Sequence, residues 1–254
     1  GLRNALAALA EGRGRKGLAE RSQAITAGYR SRRGSDGTIA TEEDALAYAL
    51  ARMPATYAAA EAVFDRLSEA ADRFAPESLL DVGCGPGTVS FAAVRALPSL
   101  RSVVLIDRNA ALLSLAEQLA ADGLAGAEAE LRRADILTAA LPTAELVTAG
   151  YVLAEIAAPA QETFVRRLWE ASRQMLVLVE PGTPDGFARL RAARSALIAA
   201  GAHIAAPCTH EAACPMAGEE WCRFLVRVQR SRDHRLLKQG DRPFEDEPYA
   251  YLVV

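Results

Sequence analysis

Residues 78–88 read Ser-Leu-Leu-Asp-Val-Gly-Cys-Gly-Pro-Gly-Thr. A short apolar run ends in Asp81, and glycines follow at positions 83, 85 and 87. Glycine takes backbone angles that other residues avoid, and its missing side chain lets a ligand approach the main chain. A helix that starts just beyond such a turn presents unpaired N–H groups and the positive end of its dipole. Asp81 argues against a nucleotide phosphate at this spot. A carboxylate repels a pyrophosphate, but it can hold an amine or order the turn. The alternative is a tight strand–helix turn with no ligand.

Further polar residues recur at the ends of apolar runs. Asp107 closes the run 102–106, about twenty residues past the turn, where an acid can accept two hydrogen bonds from ribose hydroxyls. Asp135 follows the run 129–133 and can accept from the exocyclic amine of adenine. Tyr151 follows 146–149, and Glu180 follows 175–179. Dinucleotide turns usually read G-x-G-x-x-G, whereas here the spacing is G-x-G-x-G after an acid. This order of features points to S-adenosylmethionine (SAM), with Asp81, Gly83, Gly85, Gly87, Asp107, Asp135 and Tyr151 as binding residues. Methyl transfer is an in-line displacement, so the protein mainly orients the reacting groups. Tyr151 and Glu155 are the candidates for a base or positioning group. Neither the Asn/Asp-Pro-Pro-aromatic element of amino-group methylases nor the cysteine motif of pyrimidine C5 methylases is present.

A second group of residues points to metal. Cys208, Cys214 and Cys222, three of the four cysteines, fall within one loop rich in Pro, Gly and Ala. Thiolates are preferred by zinc and by iron–sulfur clusters. Cys208, His210, Cys214 and Cys222 could form a closed zinc site. The three thiolates could equally hold a [4Fe–4S] cluster that takes a fourth ligand elsewhere. Cys84, within the glycine turn, is expected to pack beside the cofactor.

The elements that position these residues follow from periodicity. Short apolar runs at 78–82, 102–106, 129–133, 146–149 and 175–179 alternate with helical patterns at 88–97, 110–121, 160–172 and 186–200. That alternation indicates an α/β fold, a parallel sheet with helices on both faces and ligands at the carboxyl ends of its strands. Before it, residues 1–34 suggest two short helices broken by Gly12, Gly14 and Gly17. Their basic face carries Arg13, Arg15, Lys16, Arg21, Arg30, Arg32 and Arg33, which is either solvated or a nucleic-acid arm. A polar linker spans 31–41. Thr41 then caps a helix with acids in its first turn; it runs to Met53, and Pro54 restarts a second helix to about 73. The segment 52–57 is a helical hinge that either covers the ligand pocket or serves packing alone. Residues 202–206 suit a strand, 244–248 a turn, and 249–254 a last strand. The segment 223–242 holds Arg223, Arg227, Arg230, Arg232, Arg235, Lys238 and Arg242, the best candidate for a phosphate-backbone surface.

The bulk numbers restrict the classes. Of 254 residues, 51% are hydrophobic and 24% charged, with a net charge of −3. The core needs no staples, and nucleic-acid contact must come from a local patch. No apolar run reaches the length of a membrane span, no signal peptide is visible, and four cysteines suggest no disulfide framework. A first residue of Gly1 and a last strand that stops at Val254 are expected of a fragment or a processed chain.

The spacing of the turn and acids over residues 78–180 resembles class I SAM-dependent methyltransferases. More specifically, residues 52–57, the turn 81–87, the run 179–184, the cysteine run 207–224 and the basic residues downstream resemble the methyltransferase-like family associated with the mitochondrial small ribosomal subunit, which has bacterial relatives. The resemblance implies a class I methyltransferase-like, Rossmann-type, mostly parallel sheet with an N-terminal helical cap and a C-terminal Cys-rich metal-binding insertion. The implied organisation is a helical region over 1–75, a SAM-binding core over 76–200 and the Cys-rich loop, basic segment and closing strands over 201–254. It further implies a [4Fe–4S] cluster, with zinc as the alternative, whose ligands include Cys208, Cys214 and Cys222 and whose fourth cysteine lies beyond Val254. The implied role is small-subunit assembly on ribosomal RNA through the basic C-terminal segment, in the bacterial cytoplasm or the mitochondrial matrix, with no membrane contact. A SAM-dependent methyltransferase acting on that RNA, an inactive RNA-binding assembly factor and a small-molecule methyltransferase are the three functional readings.

Overall fold

Side chains of neighbouring residues alternate between two faces of a central sheet. Leu79, Val103, Leu105, Leu146, Val177 and Val179 belong to one buried cluster. Leu80, Val82, Ile106, Val147, Leu176 and Leu178 belong to the other. Both faces are covered, so the strands read as nearly continuous apolar runs. The computed structural model describes residues 2–30, 34–35, 37–70, 73–216, 218–238 and 242–254, except the side chains of Arg30, Ala70, Arg232, Asp233 and Leu236.

The chain opens with helices α1 (Leu2–Ala10), α2 (Arg15–Arg30) and α3 (Glu42–Ala70). Next come β1 (Ser78–Val82), α4 (Thr88–Ala96), β2 (Ser102–Asp107), α5 (Ala110–Gly123), β3 (Glu128–Arg133) and β4 (Ala144–Gly150). A 3-10 turn over Leu153–Glu155 leads to α6 (Ala158–Ala171), β5 (Ser172–Pro181) and α7 (Pro184–Ala199). The Cys-rich loop follows, then β6 (Phe224–Gln229), α8 (Arg232–Lys238) and β7 (Phe244–Val253). The strands form one sheet in the order β3-β2-β1-β4-β5-β7-β6. Strands β1 to β5 pair in parallel, while β7 runs antiparallel to both β5 and β6. The order reverses direction between β1 and β4, and ligands bind in the crevice at such a switch point. Helices α1 to α5 share the first cluster, and α6 and α7 the second.

Four expectations are corrected. Pro54 does not divide two helices; it lies inside the continuous α3. It forfeits one backbone hydrogen bond, yet the buried Met53 and Ala55 on either side hold the helix against the core. Residues 202–206 form no strand; Ala206 makes only an isolated bridge to Val253. Residues 244–248 are not a turn but the first half of β7, paired with β6. Gly17 breaks nothing, since it lies within α2.

Thr41 does cap α3. Its hydroxyl accepts from the Asp44 N–H (3.2 Å), and the Asp44 carboxylate accepts from the Thr41 N–H (3.1 Å), a reciprocal capping arrangement. Among the described residues, no helix is long and apolar enough to cross a membrane.

Several cations of both basic segments are paired within the molecule. Arg13 meets Glu43 and Arg21 meets Asp44 on α3. Arg32 and Arg33 lie outside the described residues, as does the side chain of Arg30. In the carboxyl region, Arg227 binds Asp246, and Arg230 and Lys238 both bind Glu245. Arg223 lies over the Trp221 ring. The uniform basic face expected over 223–242 is therefore interleaved with acids of β7. Arg235 and Arg242 are exposed, and the Arg232 side chain is outside the described residues.

Candidate functional site

The turn between β1 and α4 is built on Asp81. This carboxylate is fully buried. It accepts from the Ser90 N–H (3.2 Å), the Ser90 hydroxyl (2.7 Å) and the Thr148 hydroxyl (2.9 Å). One acid thus joins the end of β1, the first turn of α4 and β4. Burial pushes its pKa up to about 6 against the pull of those hydrogen bonds. These hydrogen bonds order the turn, and Asp81 is not part of the cavity wall.

Above it, the N–H groups of Gly83 and Cys84 both donate to the Ile106 carbonyl (2.8 and 3.1 Å). Gly83 and Gly87 have φ of +73° and +83°, and a Cβ would come within 2.5 Å of Val152 and 2.8 Å of the Phe91 ring. Gly85 has φ +54°, with nothing nearer to a Cβ than 3.9 Å; its surroundings are open, and its N–H donates to Asp107 Oδ2 (2.8 Å). The other oxygen of Asp107 accepts from the Asn109 N–H (2.8 Å).

A cavity partly open to solvent lies over this turn. Gly83, Gly85, Asp107, Asp135, Tyr151 and Glu155 line it, and so does Cys84. Gly87 and Asp81 do not; they support it from below. Asp135 is exposed at the rim, and its Oδ1 accepts from the Leu137 N–H (2.9 Å). Tyr151 has φ +61°, costly for a bulky side chain and found mostly where the surroundings fix the backbone. Its hydroxyl is buried with no hydrogen-bond partner, and burial drives its pKa well above the phenol range. Glu155 Oε2 accepts from both the N–H and the hydroxyl of Ser35 (2.9 and 2.8 Å).

Glu180, at the end of β5, stands beside this wall. It is 1% exposed, accepts from the Leu153 N–H (3.2 Å) and pairs with Arg189 (2.8 Å). It therefore anchors the 3-10 turn that carries Glu155. Burial pushes its pKa up to about 7, opposed by Arg189.

Sequence reasoning missed Tyr29, Ser35, Tyr48, Leu112 and Ile136 as cavity residues, while Thr56 of the hinge segment 52–57 does line the cavity. Asn109 was missed too. Its place immediately before an apolar helical run was a legible signal of an N-cap, and its Oδ1 does accept from the Leu112 N–H (3.1 Å).

The Cys-rich loop is clamped at both ends. Arg194 of α7 donates to the Ala212 carbonyl (2.9 Å) and to the His210 carbonyl, and lies 3.4 Å from His210 Nδ1. Trp221 Nε1 donates to the Gly182 carbonyl (3.1 Å). Cys208 is exposed, while Cys214 and Cys222 are half-buried. Burial and the nearby charges of Cys208 and Cys214 raise the Cys222 thiol pKa, so the three thiols share one neighbourhood. Among the described residues, no three His, Cys, Asp or Glu side chains are arranged to hold a metal ion.

A sheet in this order, with a glycine turn at its switch point, defines a class I methyltransferase-like fold. The magnesium protoporphyrin IX methyltransferase of Synechocystis PCC 6803, solved with S-adenosylhomocysteine bound, has a TM-score of 0.51 at 15% identity, over 78% of this chain and 82% of that one. The same enzyme with bound SAM has a TM-score of 0.50 at 15% identity, over 89% of this chain and 88% of that one. These likenesses are of fold.

The chain belongs to the Rsm22 family, described as mitochondrial small ribosomal subunit Rsm22, whose model matches residues 42–254. It is 32% identical over 200 residues to the human "Ribosome assembly protein METTL17, mitochondrial", covering 72% of this chain and 44% of the relative. It is 27% identical over 247 residues to the "Rsm22-cox11 tandem protein 2, mitochondrial" of Schizosaccharomyces pombe, covering 84% of this chain and 32% of the relative. The chain thus spans less than half the length of these relatives.

Because the folded pKa of Glu180 lies above the ordinary value of 4.5, the folded state binds this proton more tightly than the unfolded chain between about pH 4.5 and 7. Stability falls as pH rises through that window. Urea unfolding across it should therefore show the wild-type chain losing more stability than Glu180→Gln. Parallel curves would mean that the carboxyl titrates alike folded and unfolded.

Proposed function

We propose that the chain binds SAM in the cavity at the β1–β4 switch point and serves assembly of the small ribosomal subunit. The observation that carries this reading is the Gly85–Asp107 hydrogen bond at the mouth of a cavity built on a strained glycine turn, in a chain of the Rsm22 family. Asp107 would accept from ribose hydroxyls and Asp135 from the adenine amine. Gly83 and Gly85 would let the ligand approach the backbone, over a floor set by Asp81 and Gly87. Tyr151 would close the site at the end of β4.

Bound SAM would supply an electrophilic methyl group, with ribosomal RNA as the candidate acceptor. This chain's own part is to orient. Of the two candidate base groups, Glu155 has its Oε2 engaged by Ser35, and the Tyr151 hydroxyl is shielded from solvent. The missing acceptor motifs of amino-group and pyrimidine C5 methylases favour a second reading, in which SAM is a structural ligand of an RNA-binding assembly module and no methyl group is transferred. The named roles of the mitochondrial relatives support an assembly function in the mitochondrial matrix, or in the cytoplasm of a bacterial relative.

Cys208, Cys214 and Cys222 would give three thiolates to a metal centre, a [4Fe–4S] cluster or zinc. Their common neighbourhood and the softness of thiolate donors support this. The side chains as described are not converged into ligand geometry, so metal uptake would require the loop to draw together.

Gly85→Arg sets a long side chain on a left-handed backbone at the cavity, and it should abolish SAM binding in equilibrium dialysis; unchanged binding would remove the turn from the site. Protein purified without oxygen should be brown and contain iron and acid-labile sulfide. A colourless preparation with stoichiometric zinc would overturn the cluster.

A further inference from the structure

The glycine turn and its acids do not account for one wall of the cavity. Tyr29 and Ser35 line it from the N-terminal helical region, and both lie outside the residues matched by the family, 42–254. Ser35 is 7% exposed. Its N–H and hydroxyl hold Glu155, while its carbonyl accepts from the N–H groups of Thr38 and Ile39 (3.1 and 2.8 Å). Asn109 Nδ2 donates to the carbonyls of Ile39 (2.9 Å) and Ser35 (3.4 Å). Gly34 has φ +67° with a Cβ position 3.2 Å from Glu155 Oε2, and a Cβ on Gly28 would lie 1.9 Å from Thr38 Cγ2. Tyr29 stacks on Tyr48, with ring centroids 6.0 Å apart and planes at 26°.

Asn109 also links this wall to the floor of the cavity. Its backbone N–H donates to Asp107 Oδ1, and its own Oδ1 caps α5. The carboxylate assigned to the ribose is therefore two residues from the amide that holds Ser35 and Ile39.

We infer that Tyr29 and Ser35 are ligand-retaining residues of the nucleoside site, and that Glu155 latches this wall in place. The inference rests on the reading of the cavity as a SAM site. It assigns the N-terminal region a binding role and makes Glu155 a positioning residue, engaged by Ser35 rather than by an acceptor's proton. The ligand class that such a wall retains is a compact nucleoside derivative, held between the tyrosines of the helical cap and the glycine turn.

The test uses the full 254-residue chain with S-adenosylhomocysteine as probe. Dissociation is followed by stopped flow, and exchange of the Ser35 and Ile39 amides by hydrogen–deuterium exchange. Ser35→Ala should speed dissociation several-fold, because the wall loses one of its two hydrogen bonds to Glu155, with a smaller change in association. Tyr29→Ala should speed it further, and ligand should slow exchange at both amides in the wild-type chain. Thermal unfolding without ligand identifies a variant that fails to fold; if Tyr29→Ala fails, Ser35→Ala decides. Wild-type dissociation rates in the folded variants, or amide exchange indifferent to ligand, would overturn the wall while leaving the site reading intact. A wild-type chain that does not bind the probe would overturn both.

Discussion

The buried carboxylate of Asp81 is the constraint on which the site depends. A carboxyl group withdrawn from water is costly unless its acceptor sites are filled, and here three donors fill them: two from Ser90 and one from Thr148. These partners lie on α4 and β4, the elements flanking the switch point of the sheet. Satisfying one acid therefore fixes where α4 begins relative to β1 and β4. The glycine turn connects two fixed ends, and its backbone takes the left-handed angles that this span requires. Asp107 and the Ile106 carbonyl hold the turn from β2. The geometry of the cavity floor is thus a consequence of sheet register and one internal hydrogen-bonding centre.

The remainder of the site comes from parts of the chain far apart in sequence. Ser35 and Glu155 are 120 positions apart, and Asn109 lies 74 from Ser35. These contacts bring the helical cap against the carboxyl ends of the strands, and α1 to α3 enter the same core cluster as α4 and α5. Glu180 ties the opposite wall to Arg189, and the neighbouring Gly182 carbonyl accepts from Trp221 at the edge of the Cys-rich loop. Hydrogen bonds thus join β5 to both the cavity wall and the loop. The carboxyl region is electrostatically mixed rather than basic, because Glu245 and Asp246 answer its cations. The Arg227–Asp246 pair is exposed and stabilises little, but all three pairs reduce the net positive charge available to a phosphate backbone.

The parallel strands other than the edge strand β3 were legible as short apolar runs with polar residues or glycine at their ends, and the turn because only glycine suits its angles. Asp107 and Asp135 were legible by their order after the turn, and both reach the cavity. What escaped the sequence was decided by tertiary packing. Pro54 looks like a helix break locally, yet the core holds α3 continuous through it. The segment containing Pro248 reads as a turn, but pairing with β6 makes it strand. Ser35 carries no local signal of a cavity residue, since its role depends on Glu155. The basic run 223–242 conceals its own neutralisation, because the acids that pair with it follow on β7.

The central claim is that a nucleoside-type ligand sits over the Gly83–Gly87 turn. The most direct measurement is a titration of isotope-labelled chain with SAM, followed by amide chemical-shift changes. The account predicts saturable shifts concentrated at Gly83, Gly85, Asn109, Ile136 and Leu137, with smaller ones at Ser35 and Ile39. Shifts confined to other surfaces, or none at saturating ligand, would contradict it.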